Sequence, residues 1–208
     1  MQSEIVKCIN NPKNPYKKIL FLGYDKEKTQ IINSLILKNC YIDFSNKKIS
    51  SLKSYDLIIC FGYKFILDKE LINNIQCPIL NLHISYLPYN RGAHPNFWSF
   101  FENTPSGITI HLIDEGLDTG PIVYQKKINF DKGEKTFADT YLRLIREIEN
   151  MFIYNLDNIL KGKWLEKPQL GTGTYHKLVD LPSEFSGWNS EVKKEINRLK
   201  KITKLYAK

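Results

Sequence analysis

The chain has few arginines, no paired cysteine motif and no long apolar run. Only Arg91, Arg143, Arg146 and Arg198 stand among its 30 basic residues, so the formal net charge of +8 is carried mainly by lysine. A chain rich in Lys, Ile and Asn reflects genome base composition as much as selection for polyanions, and nucleic acid is not the expected partner. Cys8, Cys40, Cys60 and Cys77 form no CxxC pair and no metal-ligand spacing, which argues against a zinc or dithiol site and fits a reducing cytoplasm. Cys60 and Cys77 sit in or beside apolar runs and read as small core hydrophobes. No run approaches the roughly 18 apolar residues of a membrane span. The opening MQSEIVKCINN lacks the apolar segment of a secretory leader. The expectation is a cytoplasmic protein without membrane insertion. Internal repeats and low-complexity segments are also missing.

What is present is an alternation. KKILFLGY reads as a buried strand, residues 26–39 as a helix, YIDF and DLIICFGY as strands, LDKELINNI as a short helix and PILNLHI as a further strand. Residues 95–103 read as a helix, with Pro95 suited to its first turn. GITIHLI and PIVYQKKINF follow as strands, and residues 136–160 carry the longest helical pattern. Strands alternating with helices predict an α/β fold with a doubly wound, mostly parallel sheet, mixed at its end because the last strands come without helices between them. Ligands bind such sheets beyond the carboxyl ends of the strands. Past Gly162, turn signals at Pro168, Gly171, Gly173 and Pro182 predict one or two short strands. An amphipathic helix over 189–202 follows, with Asn189 or Ser190 as N-cap. Residues 190–208 hold seven basic residues, Lys204 and Lys208 among them, against two acidic ones. A solvated helix face plus tail explains them, with a nucleic-acid or membrane-surface patch as the sharper alternative.

The most informative stretch runs from Asn81 to Pro121. On a strand, Asn81, His83 and Ser85 share one face, pointing polar groups where a core would otherwise lie. Taken alone, Asn81 and His83 could simply satisfy backbone groups. Pro88, Arg91, Gly92 and Pro95 make an irregular loop directly afterwards and bring a guanidinium and exposed amides near that face. Arg91 suits a phosphate or carboxylate, and taken alone equally suits a surface ion pair. DEGLDTGP forms a second loop, with Gly116 and Gly120 permitting close backbone approach and Asp118 able to orient an imidazole and move a proton. Asp114, Glu115 and Asp118 have poor spacing with histidine for a metal. His111, alternating with Ile110 and Leu112, reads as a structural hydrogen-bonding residue. His94 and His176 stay open.

Asn81-Leu-His83-Ile-Ser85 with Leu87-Pro88, Arg91-Gly92 and Pro95 resembles the catalytic segment of the folate-dependent formyltransferases. Gly107, Thr109, His111 and the run from Asp114 to Pro121 resemble that family's second signature, 35 positions separating His83 from Asp118. The resemblance implies a Rossmann-like catalytic domain over 18–161, after a lead-in of 1–17 and before a hairpin and helix extension of 162–208. It implies N10-formyltetrahydrofolate as co-substrate and no metal. Asn81 and His83 would stabilise the oxyanion formed when an amine attacks the formyl carbon, and Asp118 would hold His83 and relay the amine proton. Tyr63, Phe65, Ile66 and Leu67 would line the pterin pocket, with Ile113, Asp114, Gly116 and Leu117 opposite. Ser85, Arg91, Gly92, Pro95 and Tyr175 would serve the acceptor.

Three branches of the family compete. The glycinamide ribonucleotide branch resembles this chain least, since the loop after its first strand is glycine-rich and here Gly23 stands alone. The methionyl-tRNA branch needs a sizeable C-terminal RNA-binding domain, for which the 46 residues after Gly162 are too few. RGAHPNFWSFFENTPSGITIHLIDEGLDTG and FLGYD resemble the branch acting on nucleotide-linked amino sugars for surface polysaccharide such as O-antigen. Gln169 and Gly173-Thr-Tyr175-His176 look like its C-terminal strand segment, which implies a homodimer. The specific expectation is a dTDP-linked 4-amino-4,6-dideoxyhexose, dTDP-4-amino-4,6-dideoxyglucose.

Overall fold

The computed structural model describes residues 6–50 and 54–206, with side chains through residue 203. Met1–Ile5 of the lead-in, the Lys204 side chain and Lys208 lie outside the described residues. The elements run β1 (Lys7–Asn10), β2 (Lys18–Gly23), α1 (Ile31–Leu37), β3 (Tyr41–Ser45), β4 (Leu57–Phe61), α2 (Lys69–Asn73), β5 (Ile79–His83), β6 (Arg91–Gly92) and α3 (Pro95–Phe101). They continue through β7 (Gly107–Leu112), β8 (Ile122–Lys127), α4 (Phe137–Tyr154), α5 (Leu156–Leu160), β9 (Tyr175–His176) and α6 (Val192–Tyr206). Two compact units alternate along the chain. One takes residues 1–83, 110–124 and 149–168, the other 84–109, 125–148 and 169–208.

Seven strands form one mixed sheet in the order β1-β3-β2-β4-β5-β7-β8, the α/β class expected. In the first unit β3, β2, β4 and β5 pair in parallel, while β1 runs antiparallel to β3 with an irregularity between Cys8 and Asn10. Parallel strands covered on both faces must be apolar throughout. Accordingly Ile19–Leu22 and Leu57–Phe61 are buried at every position. Leu20, Leu22, Ile58, Cys60 and Ile79 form a core cluster with Tyr55 and Leu67, and Cys77 packs against it. At the carboxyl end of β2, Gly23 takes φ +121°, and a Cβ there would collide with the Phe61 carbonyl oxygen. The chain therefore crosses its neighbouring strand closely only with glycine at that position.

Several local expectations change. The helix expected over 26–39 begins only at Ile31, because Asp25–Lys28 closes a turn and the Glu149 carboxylate accepts from the Thr29 hydroxyl at 2.6 Å and the Gln30 amide at 3.2 Å. The single helix expected over 136–160 divides at Asn155 (φ −96°, ψ 7°), although Phe152, Leu156 and Ile159 stay buried across the break. Residues 7–10 of the expected lead-in form a strand. Its four residues, KCIN, are exposed or partly exposed at the sheet edge and too few to carry a periodicity.

The second unit centres on aromatic packing. Phe97 is fully buried, with ring centroids 5.0 Å from Trp98, 5.6 Å from Phe137 and 5.1 Å from Phe185. Ile196 and Leu199 of α6 complete the cluster. That helix starts at Val192, not Asn189 or Ser190, because Glu191 bridges Thr136 and Val192 N–H donates to the Lys135 carbonyl. Lys194 pairs with Glu191 at its surface, whereas Glu195 is buried and pairs with Arg198, so the charged face is solvated only in part. No helix among the described residues is long and apolar enough to cross a membrane.

Burial pushes the Cys60 thiol up to about 12 and the Cys40 thiol up to about 11, whereas Cys8 is exposed. Alkylation at mildly alkaline pH, followed by intact-mass spectrometry, should label Cys8 readily and spare Cys40 and Cys60 until denaturant is added, because the thiolate is the reactive form. Rapid labelling of Cys60 in the native protein would contradict the buried core.

Candidate active site

The first unit gathers four polar side chains at the ends of β5 and β7. Asn81 and His83 lie on β5, which ends at His83, so the shared face extends over two residues and does not reach Ser85. His111 lies near the end of β7, and Asp118 on the loop that follows. His83, His111 and Asp118 are at most 8% exposed. The Asn81 amide nitrogen donates to Asp118 Oδ1 at 3.0 Å and meets His111 Nε2 at 3.1 Å. His111 Nδ1 lies 2.8 Å from the Leu112 carbonyl oxygen. Only an N–H can satisfy that carbonyl, so Nδ1 carries a proton, and in that neutral tautomer Nε2 accepts from Asn81. Asp118 Oδ2 stands 3.7 Å from His83 Nε2, and Oδ1 stands 3.4 Å from His111 Nε2. Asn81 thus makes a closer contact with the carboxylate than His83 does, and both amide hydrogens of Asn81 have protein acceptors.

The loop is shaped to deliver Asp118. Asp118 has φ 53°, a left-handed conformation unfavourable for a residue with a Cβ and retained only where surroundings enforce it. Asp114 Oδ1 accepts from the Gly116 amide at 3.0 Å and from the Thr119 hydroxyl at 2.6 Å, closing the loop on itself. A Cβ at Gly120 would collide with the Leu112 carbonyl oxygen. Lys69 pairs with Glu115 at 2.5 Å, and Asn73 donates to it at 3.4 Å. These two partners hold the Glu115 carboxyl below its usual range, Lys69 first.

The apolar residues expected around the pterin separate into two sets. Phe65, Ile66 and Leu117 are 40%, 70% and 37% exposed, as ligand-facing apolar groups would be in the free protein. Leu67 is a core residue, and Tyr63 and Ile113 pack against that core. The Tyr63 hydroxyl donates to the Lys47 carbonyl at 2.9 Å and accepts from the Ile49 amide at 3.2 Å. Burial raises its pKa.

In the second unit β6 and β9 pair in parallel, Arg91 opposite Tyr175 and Gly92 opposite His176. Gly92 has φ +83°, and a Cβ there would collide with the His176 carbonyl oxygen. Arg91 Nε and Nη2 donate to Gln169 Oε1 at 3.1 and 2.7 Å, and Tyr175 is 49% exposed. Pro95 is the buried first residue of α3. Ser85 is buried and its hydroxyl donates to the Tyr89 carbonyl at 2.5 Å, so it shapes its own loop. His176 stacks on Trp98 with centroids 3.9 Å apart and pairs with Glu102 at 3.0 Å. His94 lies 5.3 Å from Trp188 and has its pKa lowered by burial. No group of three or more His, Cys, Asp or Glu side chains among the described residues is placed to hold a metal ion.

The Formyl transferase family profile matches residues 17–155. This chain belongs to the formyltransferase family. A formyltransferase, PseJ from Anoxybacillus kamchatkensis, crystallised with UDP-4,6-dideoxy-4-formamido-L-AltNAc and tetrahydrofolate, is 37% identical with a TM-score of 0.80, over 87% of this chain and 98% of that one. A methionyl-tRNA formyltransferase of Thermodesulfovibrio yellowstonii is 34% identical over 73% of this chain and 49% of its own length. A dTDP-4-amino-4,6-dideoxyglucose formyltransferase of Mycobacterium tuberculosis is 28% identical over 67% of this chain and 58% of its own length. This formyltransferase chain therefore spans about half the length of the curated relatives it matches.

His111 is the member of the cluster that sequence reasoning set aside as structural. Its signal was its position in the second signature, but its polar partners come from another strand. Replacing His111 with Phe keeps a ring and removes the acceptor for Asn81. In this chain His111→Phe should cost about 1–3 kcal/mol in urea unfolding. An unchanged midpoint would show that Asn81 is satisfied without His111.

Proposed function

We propose that this formyltransferase moves the formyl group of N10-formyltetrahydrofolate to the 4-amino group of a 4,6-dideoxyhexose carried on a pyrimidine nucleoside diphosphate. The observation that carries the reading is the buried cluster of Asn81, His83, His111 and Asp118, set at strand ends in a chain of this family. Sugar acceptors are favoured by the likeness to PseJ, which extends over 87% of the chain and so beyond the family profile. PseJ was crystallised with a UDP-linked 4-formamido sugar, so the base and sugar expected from sequence, dTDP and glucose, become one arm of the test and a UDP-linked amino sugar the other. Transfer to methionyl-tRNA is the second reading, favoured by the 34% identity to the Thermodesulfovibrio yellowstonii enzyme.

N10-formyltetrahydrofolate supplies the electrophilic carbon. Phe65, Ile66 and Leu117, exposed and apolar, suit its flat ring system. The acceptor nitrogen adds to the formyl carbon, the new C–N bond forms, and the bond to N10 breaks; the proton lost by the amine is gained by N10 as tetrahydrofolate leaves. Asn81 and His83 donate to the oxygen on which negative charge develops. A preorganised donor of this kind is typically worth roughly 10²–10³ in rate. To donate, Asn81 turns one amide hydrogen away from its present acceptors. Asp118, with His83 beside it, takes up the amine proton and relays it towards the departing N10. The domain organisation carried with this reading is a catalytic domain over 18–161 and an extension over 162–208. It also includes a homodimer, a cytoplasmic location, where four free cysteines persist, and a product destined for surface polysaccharide.

The deciding experiment incubates the protein and N10-formyltetrahydrofolate with dTDP-4-amino-4,6-dideoxyglucose, UDP-linked 4-amino-4,6-dideoxy-L-AltNAc, methionyl-tRNA and glycinamide ribonucleotide. Mass spectrometry then looks for the gain of one CO. Formylation of methionyl-tRNA alone would replace the sugar reading by the second one. On the acceptor that works, His83→Ala and Asp118→Ala should each lower kcat by roughly 10²–10⁴ in a protein that still folds. Near-parental turnover in either variant would remove that residue from the mechanism.

A further inference from the structure

Arg143 pairs with Glu134 and Glu147, and Arg198 with Glu195. Arg146 of the second unit is exposed and, among the described residues, has no ion pair, as a solvated cation can. Arg91 is half-buried, yet among the described residues no carboxylate lies within ion-pair distance of it. Two of its guanidinium nitrogens, Nε and Nη2, donate to a single neutral oxygen, Gln169 Oε1, at 3.1 and 2.7 Å. Gln169 thus fixes the plane of the guanidinium without cancelling its charge, and the Nη1 face makes no hydrogen bond to the described residues. The backbone reinforces that placement. The Arg91 amide donates to the Thr174 carbonyl at 3.0 Å and the Ala93 amide to the His176 carbonyl at 2.8 Å. The Asn90 amide donates to the Thr174 hydroxyl at 2.8 Å. Register pairing sets the half-exposed ring of Tyr175 opposite Arg91.

A half-buried cation held by a neutral side chain is a poor arrangement for stability alone, because a carboxylate in the same place would add charge-assisted hydrogen bonds. It is a good arrangement for receiving an anion, since the charge is oriented and not yet spent. A planar guanidinium matches phosphate oxygens in pairs, and an aromatic face beside it suits a pyrimidine ring.

We propose that Gln169 is a positioning residue that aims an un-neutralised Arg91 guanidinium at the diphosphate of the nucleotide-linked acceptor. This rests on the nucleotide-sugar reading above. It assigns acceptor affinity to a residue outside the segment matched by the family profile, 78 positions from the arginine it orients.

The test compares Gln169→Glu and Gln169→Ala in the full chain. Gln169→Glu keeps the shape and introduces the missing negative charge, while Gln169→Ala loses the alignment and keeps the cation. Binding of UDP, dTDP and uridine is measured by calorimetry at two ionic strengths, alongside tetrahydrofolate binding as a check on the fold. For Gln169→Glu, nucleoside diphosphate affinity should fall about tenfold or more, and its salt dependence should flatten. Uridine and tetrahydrofolate binding should hold. Gln169→Ala should lose less. On the sugar acceptor, KM for the nucleotide sugar should rise far more than kcat falls. Equal losses in both variants would mean that Gln169 only supports the local fold. Diphosphate affinity within about twofold of the parent in Gln169→Glu would overturn the proposal while sugar formylation by the parent stood. If the parent bound neither diphosphate and formylated no nucleotide sugar, the acceptor reading would fall and this inference with it.

Discussion

A carboxylate held in a buried site has to be matched by donors, and the polar cluster of the first unit depends on that requirement. An ionised carboxyl group removed from water is costly unless hydrogen-bonded. Asp118 receives the Asn81 amide at 3.0 Å and stands beside two imidazoles. Asn81 is itself tied to His111, and His111 to the backbone carbonyl of Leu112. Each group fixes the next. The Leu112 carbonyl sets the tautomer of His111, the tautomer sets the direction of the Asn81 amide, and the amide meets the carboxylate. Networks of this kind in a low-dielectric interior stiffen their members when satisfied, and preorganised donors are what stabilisation of a developing oxyanion requires.

The loop that carries Asp118 shows how three acidic residues close in sequence acquire different roles. Asp114 turns its oxygen inward to the Gly116 amide and Thr119 hydroxyl and becomes a loop-building residue. Glu115 reaches outward to Lys69 and Asn73 of α2. Asp118 alone is buried, at the cost of a left-handed backbone conformation. Composition cannot distinguish these three carboxylates, whereas their hydrogen-bond partners can. Glycine at position 120 is required by the same loop, because the chain passes against the Leu112 carbonyl.

Much of the architecture was legible from the chain alone. The buried parallel strands announce themselves because strands covered on both faces have to be apolar, as Ile19–Leu22 and Leu57–Phe61 are. Helix α3 is announced by Pro95 and its aromatic face. The errors fall where one segment's backbone is claimed by another. Helix α1 starts late because Glu149, more than a hundred positions away, holds Thr29. Helix α6 starts late because Glu191 bridges Thr136. Strands β1, β6 and β9 are two to four residues long, too short to carry a periodicity, and exist only through their partners.

The apolar strands, the glycine-bounded loops and the Asn-x-His and Asp-x-Gly signatures of the family can be read along the chain, because local covalent preferences and short spacings carry those signals. Tertiary structure decided which polar groups meet. His111 belongs with Asn81 because β7 brings it there, thirty positions along the chain. Arg91 rests on Gln169 across a still longer separation. Tyr63 and Leu67 join the core while Phe65 and Ile66 remain exposed, although all four come from one short run. Hydrogen bonding and burial are properties of partners brought together by folding, and a linear order of residues does not contain them.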